Sequence, residues 1–193
     1  QDVNSMQVEF LDLLKPKNLF CVGDPRQSIF GWRGSDIKYI LEFSEKYPLC
    51  EIISLNKNYR SNKKIVELIN KSIKHMKLPD LEPISNNTSE IELLNFKKES
   101  DEFDFVIKKI QSSNNKEIFV LARTNNQLNN LSEKMRQHKI PHIVKTEDNY
   151  TEPQKNKVTL ATIHSIKGLE SEKVFLIGCK KSNFPCQASD HPV

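Results

Sequence analysis

The stretch "IFVLARTNNQLNNLSEKMRQHKIPHIVK", residues 118–145, decides the fold class. It opens with the apolar run IFVLA, which is typical of a buried strand, and closes with a second strand pattern, HIVK. Thr124 and Gln127 are spaced as a capping box, and three apolar residues follow at helical spacing: Leu128, Leu131 and Met135. A strand, a helix and a strand in this order predict a parallel βαβ unit, with helices on both faces of the sheet.

The same alternation continues on both sides of this unit. Apolar runs predict further strands at residues 19–22, 51–55, 91–96, 158–163 and 173–178. Helical patterns begin near Asn4, Ser35, Ser61 and Ser100, and Asn4 pairs with Gln7 in a capping box. Residues 77–90 are rich in proline and polar residues, which predicts an exposed connection.

Unusual residues follow the predicted strands. In parallel sheets, ligands bind at the carboxyl ends of strands. Asp24, the segment 58–60 and the segment 164–168 all lie there. The five glycines also follow strands or lie in these loops, where a backbone needs positive φ or a ligand approaches closely. Ordinary turns explain Gly178, but they explain the "FGWRG" and "KGLE" loops less well.

Composition bounds the function only loosely. The net charge of +4 favours a polyanionic partner weakly, and a solvated surface explains it equally well. The four cysteines form no CxxC pair and no metal-site spacing, which indicates an intracellular, reducing environment. Cys21 and Cys179 lie in apolar runs, where a reduced thiol behaves as a small hydrophobe. No segment has the pattern of a transmembrane span or a signal peptide.

Three long motifs, in order, resemble the UvrD/Rep group of superfamily 1 DNA helicases. "VGDPRQSIFGWRGSD" (22–36) resembles motif III, "LNKNYRSN" (55–62) motif IV, and "VTLATIHSIKGLESEKVFLIG" (158–178) motif V. Residues 120–142 also resemble the family's segment between motifs IV and V. The resemblance implies an α/β, parallel-sheet P-loop NTPase (RecA-like) helicase core.

The resemblance also implies a domain organisation. Residues 1–55 would end a first RecA-like domain, and residues 56–193 would form most of the second, without the usual large inserted subdomain and without motif VI. Gln1 and Asp2 match the last letters of motif II, whose acidic pair is missing. We therefore expect a segment from the middle of a helicase, inactive in isolation.

Residue roles are carried over motif by motif. Gln27 and Arg60 would be catalytic, Gln27 at the γ-phosphate or its attacking water and Arg60 as an arginine finger. The ATP-binding residues implied are Tyr59, Gly168 and Glu170. The DNA-binding residues implied are Phe30, Trp32, Arg33, Thr162 and His164. Purely structural alternatives stay open for five of these residues. Gln27 would be a surface residue, Tyr59 and Phe30 packing residues, Arg60 part of a surface ion pair, and His164 a buried structural histidine.

The implied activity is ATP-driven translocation on single-stranded DNA and duplex unwinding, with 3′→5′ polarity. ATP and Mg²⁺ would be the cofactors, and the metal ligands would lie outside this chain. The implied partners are single-stranded DNA, duplex junctions and repair or replication proteins, in the cytoplasm and without a membrane. The alternatives are a RecB/AddA-type helicase–nuclease subunit and a non-enzymatic nucleic-acid-binding remnant.

Overall fold

Four parallel strands in the C-terminal half form the larger of the two sheets in the described residues. The structure is a computed structural model that describes residues 1–85, 87, 89–114, 117–145, 154 and 157–184. The chain divides into two units, residues 1–94 and 95–193. The domain boundary expected near residue 55 stays a prediction.

The second unit contains helices α5 (Glu99–Gln111) and α6 (Asn125–Gln137) and strands β3 (Ile118–Ala122), β4 (His142–Lys145), β5 (Val158–Thr162) and β6 (Lys173–Leu176). The strand order is β4-β5-β3-β6, and every neighbouring pair is parallel. In register, Ile118 lies beside Val158 on one side and Lys173 on the other. The predicted α/β class with a parallel sheet is confirmed.

Apolar side chains fill both faces of this sheet. The larger cluster combines one face of β3 and β5 with α5 and α6, and its buried members include Val106, Val120, Leu128, Leu131, Met135 and Leu160. The smaller cluster lies on the other face and contains Phe119, Ala161 and Ile166. β3 and β5 are therefore central strands buried on both sides, which explains their nearly continuous apolar sequences.

The first unit contains α1 (Ser5–Leu14), α2 (Lys38–Leu41), α3 (Phe43–Lys46), β1 (Lys57–Asn62), α4 (Lys63–Ser72) and β2 (Glu82–Ser85). β1 and β2 pair in parallel, with an irregularity between Asn58 and Asn62. Short 3₁₀ helices span Pro25–Gln27, Gly31–Arg33 and Lys74–Met76. Val66 of α4 is completely buried.

Three predicted strands of the first unit are absent from its sheet. Residues 19–22, 51–55 and 91–96 form no ladder with any described segment. A strand needs a neighbouring strand to pair with its backbone N–H and C=O groups, and these runs have none among the described residues. Their side chains are accordingly exposed: Phe20, Ile53 and Leu93 by 89%, 74% and 95%. The prediction of a plain connection at 77–90 was also wrong, because β2 lies within it.

One predicted capping box is present and the other is not. Asn4 accepts from the backbone N–H of Gln7 at 3.0 Å, and the Gln7 side chain accepts from the backbone N–H of Asn4 at 3.0 Å. At α6 the Thr124 hydroxyl instead donates to Gln127 Oε1 at 3.2 Å, without capping the helix. Gln127 is only 7% exposed, and its side chain contacts the Thr124 hydroxyl rather than the Thr124 backbone N–H.

Both cysteines of the apolar runs have exposed side chains. Cys21 lies in the segment 19–22, which forms no strand, and Cys179 follows the end of β6. Partial burial of the Cys179 thiol, with a contribution from the nearby Glu102 carboxylate, still raises its pKa. None of the helices in the described ranges is long and apolar enough to cross a bilayer.

Candidate nucleotide and nucleic-acid site

A single carboxylate organises the start of the loop at residues 22–36. Asp24 begins the 3₁₀ turn Pro25–Gln27, and its Oδ1 accepts from the backbone N–H of Arg26 at 3.0 Å. Its other oxygen, Oδ2, accepts from Nε2 of Gln27 at 2.9 Å. A carboxylate only accepts at these positions, so this bond fixes which end of the Gln27 amide faces Asp24. The Gln27 carbonyl oxygen is directed away from Asp24 on an exposed side chain.

Gln1 forms two hydrogen bonds with the residues that flank this turn. Gln1 Oε1 accepts from the backbone N–H of Asp24 at 2.8 Å, and the Ser28 hydroxyl donates to the Gln1 carbonyl at 3.1 Å. These two bonds fix both ends of the turn that carries Gln27. Local sequence spacing gives no sign of them, since 23 residues separate Gln1 from Asp24.

Two aromatic rings and one guanidinium form the second part of the loop. The Arg33 guanidinium lies over Trp32, 4.5 Å from the ring centroid, and 5.2 Å from the centroid of Phe30. Gly34 ends the 3₁₀ turn Gly31–Arg33 with φ of 79°, a conformation that favours glycine. Trp32 is 38% exposed, so part of its indole surface faces solvent. The structure thus brings Phe30, Trp32 and Arg33 together.

Tyr59 and Arg60 lie on β1, in the same unit as the loop. Tyr59 is 70% exposed, and Arg60 is exposed as well. The Asn58 side chain accepts from the backbone N–H of Ser61 at 2.8 Å, which holds the backbone around both residues. The segment was expected just after a strand, and in the structure it is itself a strand.

The second unit carries the remaining predicted residues at the carboxyl end of β5. Thr162 is 8% exposed, and its Oγ1 donates to Ser165 Oγ at 3.0 Å and accepts from the Ser165 N–H at 3.1 Å. Its hydroxyl therefore closes the turn at 163–168. His164 is half-buried, while Gly168, with φ of 92°, and Glu170 are exposed. The structure brings these residues into one turn, with the Thr162 hydroxyl already engaged.

Two residues were missed as site residues. Asp24 was noted only for its place after a strand, and Arg26 was not singled out. The spacing of Asp24 and Gln27, with proline between them at the first position of the turn, is a usable local signal for Asp24. No local signal identifies Arg26, because its side chain donates to the carbonyl of Pro79, 53 residues away.

The described residues do not form a metal site. No group of three His, Cys, Asp or Glu side chains among them is placed to hold an ion. The residues present therefore do not fit Mg²⁺ by themselves, and the chemistry that they offer is hydrogen bonding, charge and stacking.

Parallel strands that alternate with helices define the class of α/β proteins. Family models agree with that class: one described as UvrD-like helicase C-terminal domain matches residues 53–152 and 143–192. Another, described as UvrD/REP helicase N-terminal domain, matches residues 1–48. The chain belongs to the UvrD-like helicase family.

The curated relatives of this chain are named as helicases. ATP-dependent DNA helicase PcrA of Staphylococcus epidermidis is 41% identical over 152 residues, 74% of this chain and 21% of the relative. PcrA of Staphylococcus aureus is 38% identical over the same lengths. The chain thus spans about a fifth of the length of the curated relatives that it matches.

Proposed function

We propose that the protein carrying this chain is an ATP-dependent DNA helicase. It couples ATP hydrolysis to 3′→5′ translocation on single-stranded DNA and to duplex unwinding. Family membership and the names of the relatives support this. The observation that carries it is the loop at 22–36, where Gln27 and Trp32 are presented on consecutive 3₁₀ turns of one backbone.

Gln27 is proposed to act at the γ-phosphate. With Nε2 bound to Asp24, its carbonyl oxygen is available to accept from an attacking water, and the remaining N–H can donate to a phosphate oxygen. A neutral amide orients water without adding charge to the transition state. This arrangement is pre-organised, because Asp24 holds the amide before any substrate arrives.

Arg60 and Tyr59 are proposed to contact the nucleotide from β1. A guanidinium stays charged and can place two N–H donors on phosphate oxygens, which suits Arg60 to the charge that develops at the transferred phosphoryl group. An exposed phenol ring suits Tyr59 to stacking on adenine. Gly168 and Glu170 are proposed to contact nucleotide from the segment after β5.

Phe30, Trp32 and Arg33 are proposed to bind single-stranded DNA. The Arg33 guanidinium lies on the Trp32 face and can reach a phosphate from there, while the exposed ring surface can stack on a base. Stacking on aromatic residues accepts any base, which suits a protein that moves along DNA of any sequence. Thr162 and His164 are proposed to contact the DNA backbone, which would require the Thr162 hydroxyl to share its bonds with Ser165.

The remaining proposals concern organisation and surroundings. Residues 1–55 would belong to one RecA-like domain and residues 56–193 to a second. Mg²⁺ would accompany ATP, with ligands outside this chain. The partners would be single-stranded DNA, duplex junctions and repair or replication proteins, in the cytoplasm.

The proposed function is tested by ATP hydrolysis in the full-length protein with and without single-stranded DNA. We expect DNA to stimulate hydrolysis, and Arg60→Ala to lower the stimulated kcat by about 10³-fold, the scale of a lost arginine finger. The matched control is Lys64→Ala, which removes an exposed cation from α4. A wild-type protein without DNA-stimulated hydrolysis would contradict the proposal, whereas the present chain alone is expected to be inactive.

A further inference from the structure

Arg26 connects the Gln27 turn to a distant part of the first unit. Its side chain is only 13% exposed, although it lies one residue from the exposed Gln27. Nη2 donates to the backbone carbonyl of Pro79, and Nη1 lies 3.4 Å from Asp24 Oδ1. One guanidinium therefore bridges the Asp24 carboxylate and the segment that precedes β2.

The segment around Pro79 is fixed to the strand that carries Arg60. The Asn70 side chain of α4 donates to the carbonyl of Leu81 at 2.9 Å and accepts from its N–H at 3.0 Å. The next residue, Glu82, donates its N–H to the carbonyl of Asn56 at 2.8 Å, directly before β1. β2 then continues as the parallel neighbour of β1. Leu81 and Glu82, two and three residues after Pro79, are thus held to α4 and to the residue before β1.

The Asp24 carboxylate transmits this connection to Gln27. Oδ1 faces Arg26, through its backbone N–H and its guanidinium, and Oδ2 accepts from the Gln27 amide. Rotation of the carboxylate would break both sets of bonds at once. The guanidinium restrains that rotation because it is anchored at its other end by the carbonyl of Pro79.

We propose that Arg26 is a positioning residue that sets the orientation of Gln27 and joins it to the β1 strand of Arg60. This inference rests on the proposed function, which makes Gln27 and Arg60 act on the same phosphoryl group. Arg26 itself touches no reacting atom.

The test compares Arg26→Ala, Arg26→Lys and Lys64→Ala in the full-length protein by two measurements. The first is peptide-level hydrogen exchange without ATP. Arg26→Ala is expected to speed exchange of the Leu81 and Glu82 amides by about tenfold, the effect of losing one ordinary hydrogen bond. Lys64→Ala is expected to leave it unchanged. Arg26→Lys keeps a donor for the Pro79 carbonyl and is expected to restore slow exchange.

The second measurement is DNA-stimulated ATP hydrolysis. A loosened Gln27 is expected to lower kcat by about tenfold in Arg26→Ala with KM for ATP nearly unchanged, because misplacement of a reacting group acts on the chemical step. Arg26→Lys is expected to recover most of kcat.

Three results would overturn the inference. The first is an exchange rate of the Leu81 and Glu82 amides in Arg26→Ala equal to that in Lys64→Ala. The second is a kcat of Arg26→Ala equal to that of Lys64→Ala. The third is a loss of kcat in both Arg26 variants that equals their loss of folded protein. Absence of stimulated hydrolysis in the wild-type protein would instead contradict the proposed function, and the exchange comparison would still decide the Arg26 bridge.

Discussion

At the residue scale, both ring nitrogens of His142 form hydrogen bonds within the fold. Its Nδ1 lies 2.8 Å from the carbonyl oxygen of Ile140, and its Nε2 lies 2.8 Å from the hydroxyl of Ser132. A carbonyl oxygen only accepts, so Nδ1 carries the proton and the hydroxyl donates to Nε2. Ser132 is 2% exposed, and this bond explains why a polar residue is tolerated in the core face of α6.

Gly178 is the glycine whose replacement the structure resists most. Its φ is 66°, and a Cβ built there would lie 1.8 Å from Nε2 of Gln127, a buried amide. Gly168 also has positive φ, 92°, yet a Cβ there would meet nothing within 4 Å. The pair therefore separates backbone strain from steric conflict within one unit.

Gly178→Ala is expected to lower the free energy of unfolding by about 2–4 kcal/mol, because strain of about 1–2 kcal/mol is joined by overpacking. Gly168→Ala is expected to cost only the strain. Urea unfolding of the two variants measures the difference. Equal losses would show that the Gln127 side chain moves aside without cost.

At the element scale, one ion pair ties α1 to α3. Lys46 Nζ lies 2.6 Å from Asp12 Oδ2, and the Tyr47 hydroxyl donates to Oδ1 at 3.2 Å. The hydrogen bond from Lys46 holds the pKa of Asp12 below its ordinary value of 3.8. A carboxyl whose folded pKa is depressed stabilises the folded state above the ordinary value and loses that contribution as pH falls through the folded pKa.

Lys46→Gln is expected to raise the pKa of Asp12 back toward 3.8. A pH titration of the Asp12 carboxyl carbon by NMR measures the change. Lys38→Gln is the matched control, since Lys38 pairs with Asp36 instead. The pair is exposed, so added salt is expected to weaken the depression of the pKa in the unmodified chain. An Asp12 titration identical in both variants would rule out the Lys46 contribution.

The elements also show which parts of the fold a sequence can predict. β3, α6 and β4 follow one another with short connections, so local patterns specified them. β2 was missed because it contains Pro83 and polar residues, which are not typical of a strand. It pairs with β1, and the residue before it, Leu81, is held by the side chain of Asn70, eleven residues away. The Thr124 capping box failed because the Thr124 hydroxyl donates to the Gln127 side chain instead of accepting from the helix backbone, a choice of partner that spacing does not encode.

At the scale of the whole molecule, the proposed coupling runs through the loop at 22–36. Trp32→Ala in the full-length protein is expected to weaken single-stranded DNA binding by about tenfold, because stacking on one base contributes about 1–3 kcal/mol. DNA-stimulated ATP hydrolysis is expected to fall with it, since the same loop holds Gln27.

Trp32→Phe retains an aromatic face and is the matched control. Fluorescence anisotropy of a labelled oligonucleotide measures binding, and a coupled assay measures hydrolysis. Unchanged stimulation in Trp32→Ala would contradict coupling through this loop.

The motifs gave the order of the site residues along the chain, but not the bonds that orient them. Gln27 could be singled out from sequence because its motif is contiguous. Its orientation depends on Gln1, Asp24 and, through Asp24, on Arg26 and Pro79. Those partners come from chain segments far apart in sequence. A hydrogen bond to a backbone carbonyl cannot be predicted from residue type, because every residue has such a carbonyl.

The apolar segments 19–22 and 51–55 have a practical consequence for handling the purified chain. Phe20, Val22 and Leu55 are each more than 80% exposed, with values of 89%, 82% and 87%. Short apolar runs that are rich in β-formers and open to solvent are the stretches through which chains precipitate. Ammonium sulfate strengthens such association, so samples are best concentrated in its absence and stored dilute.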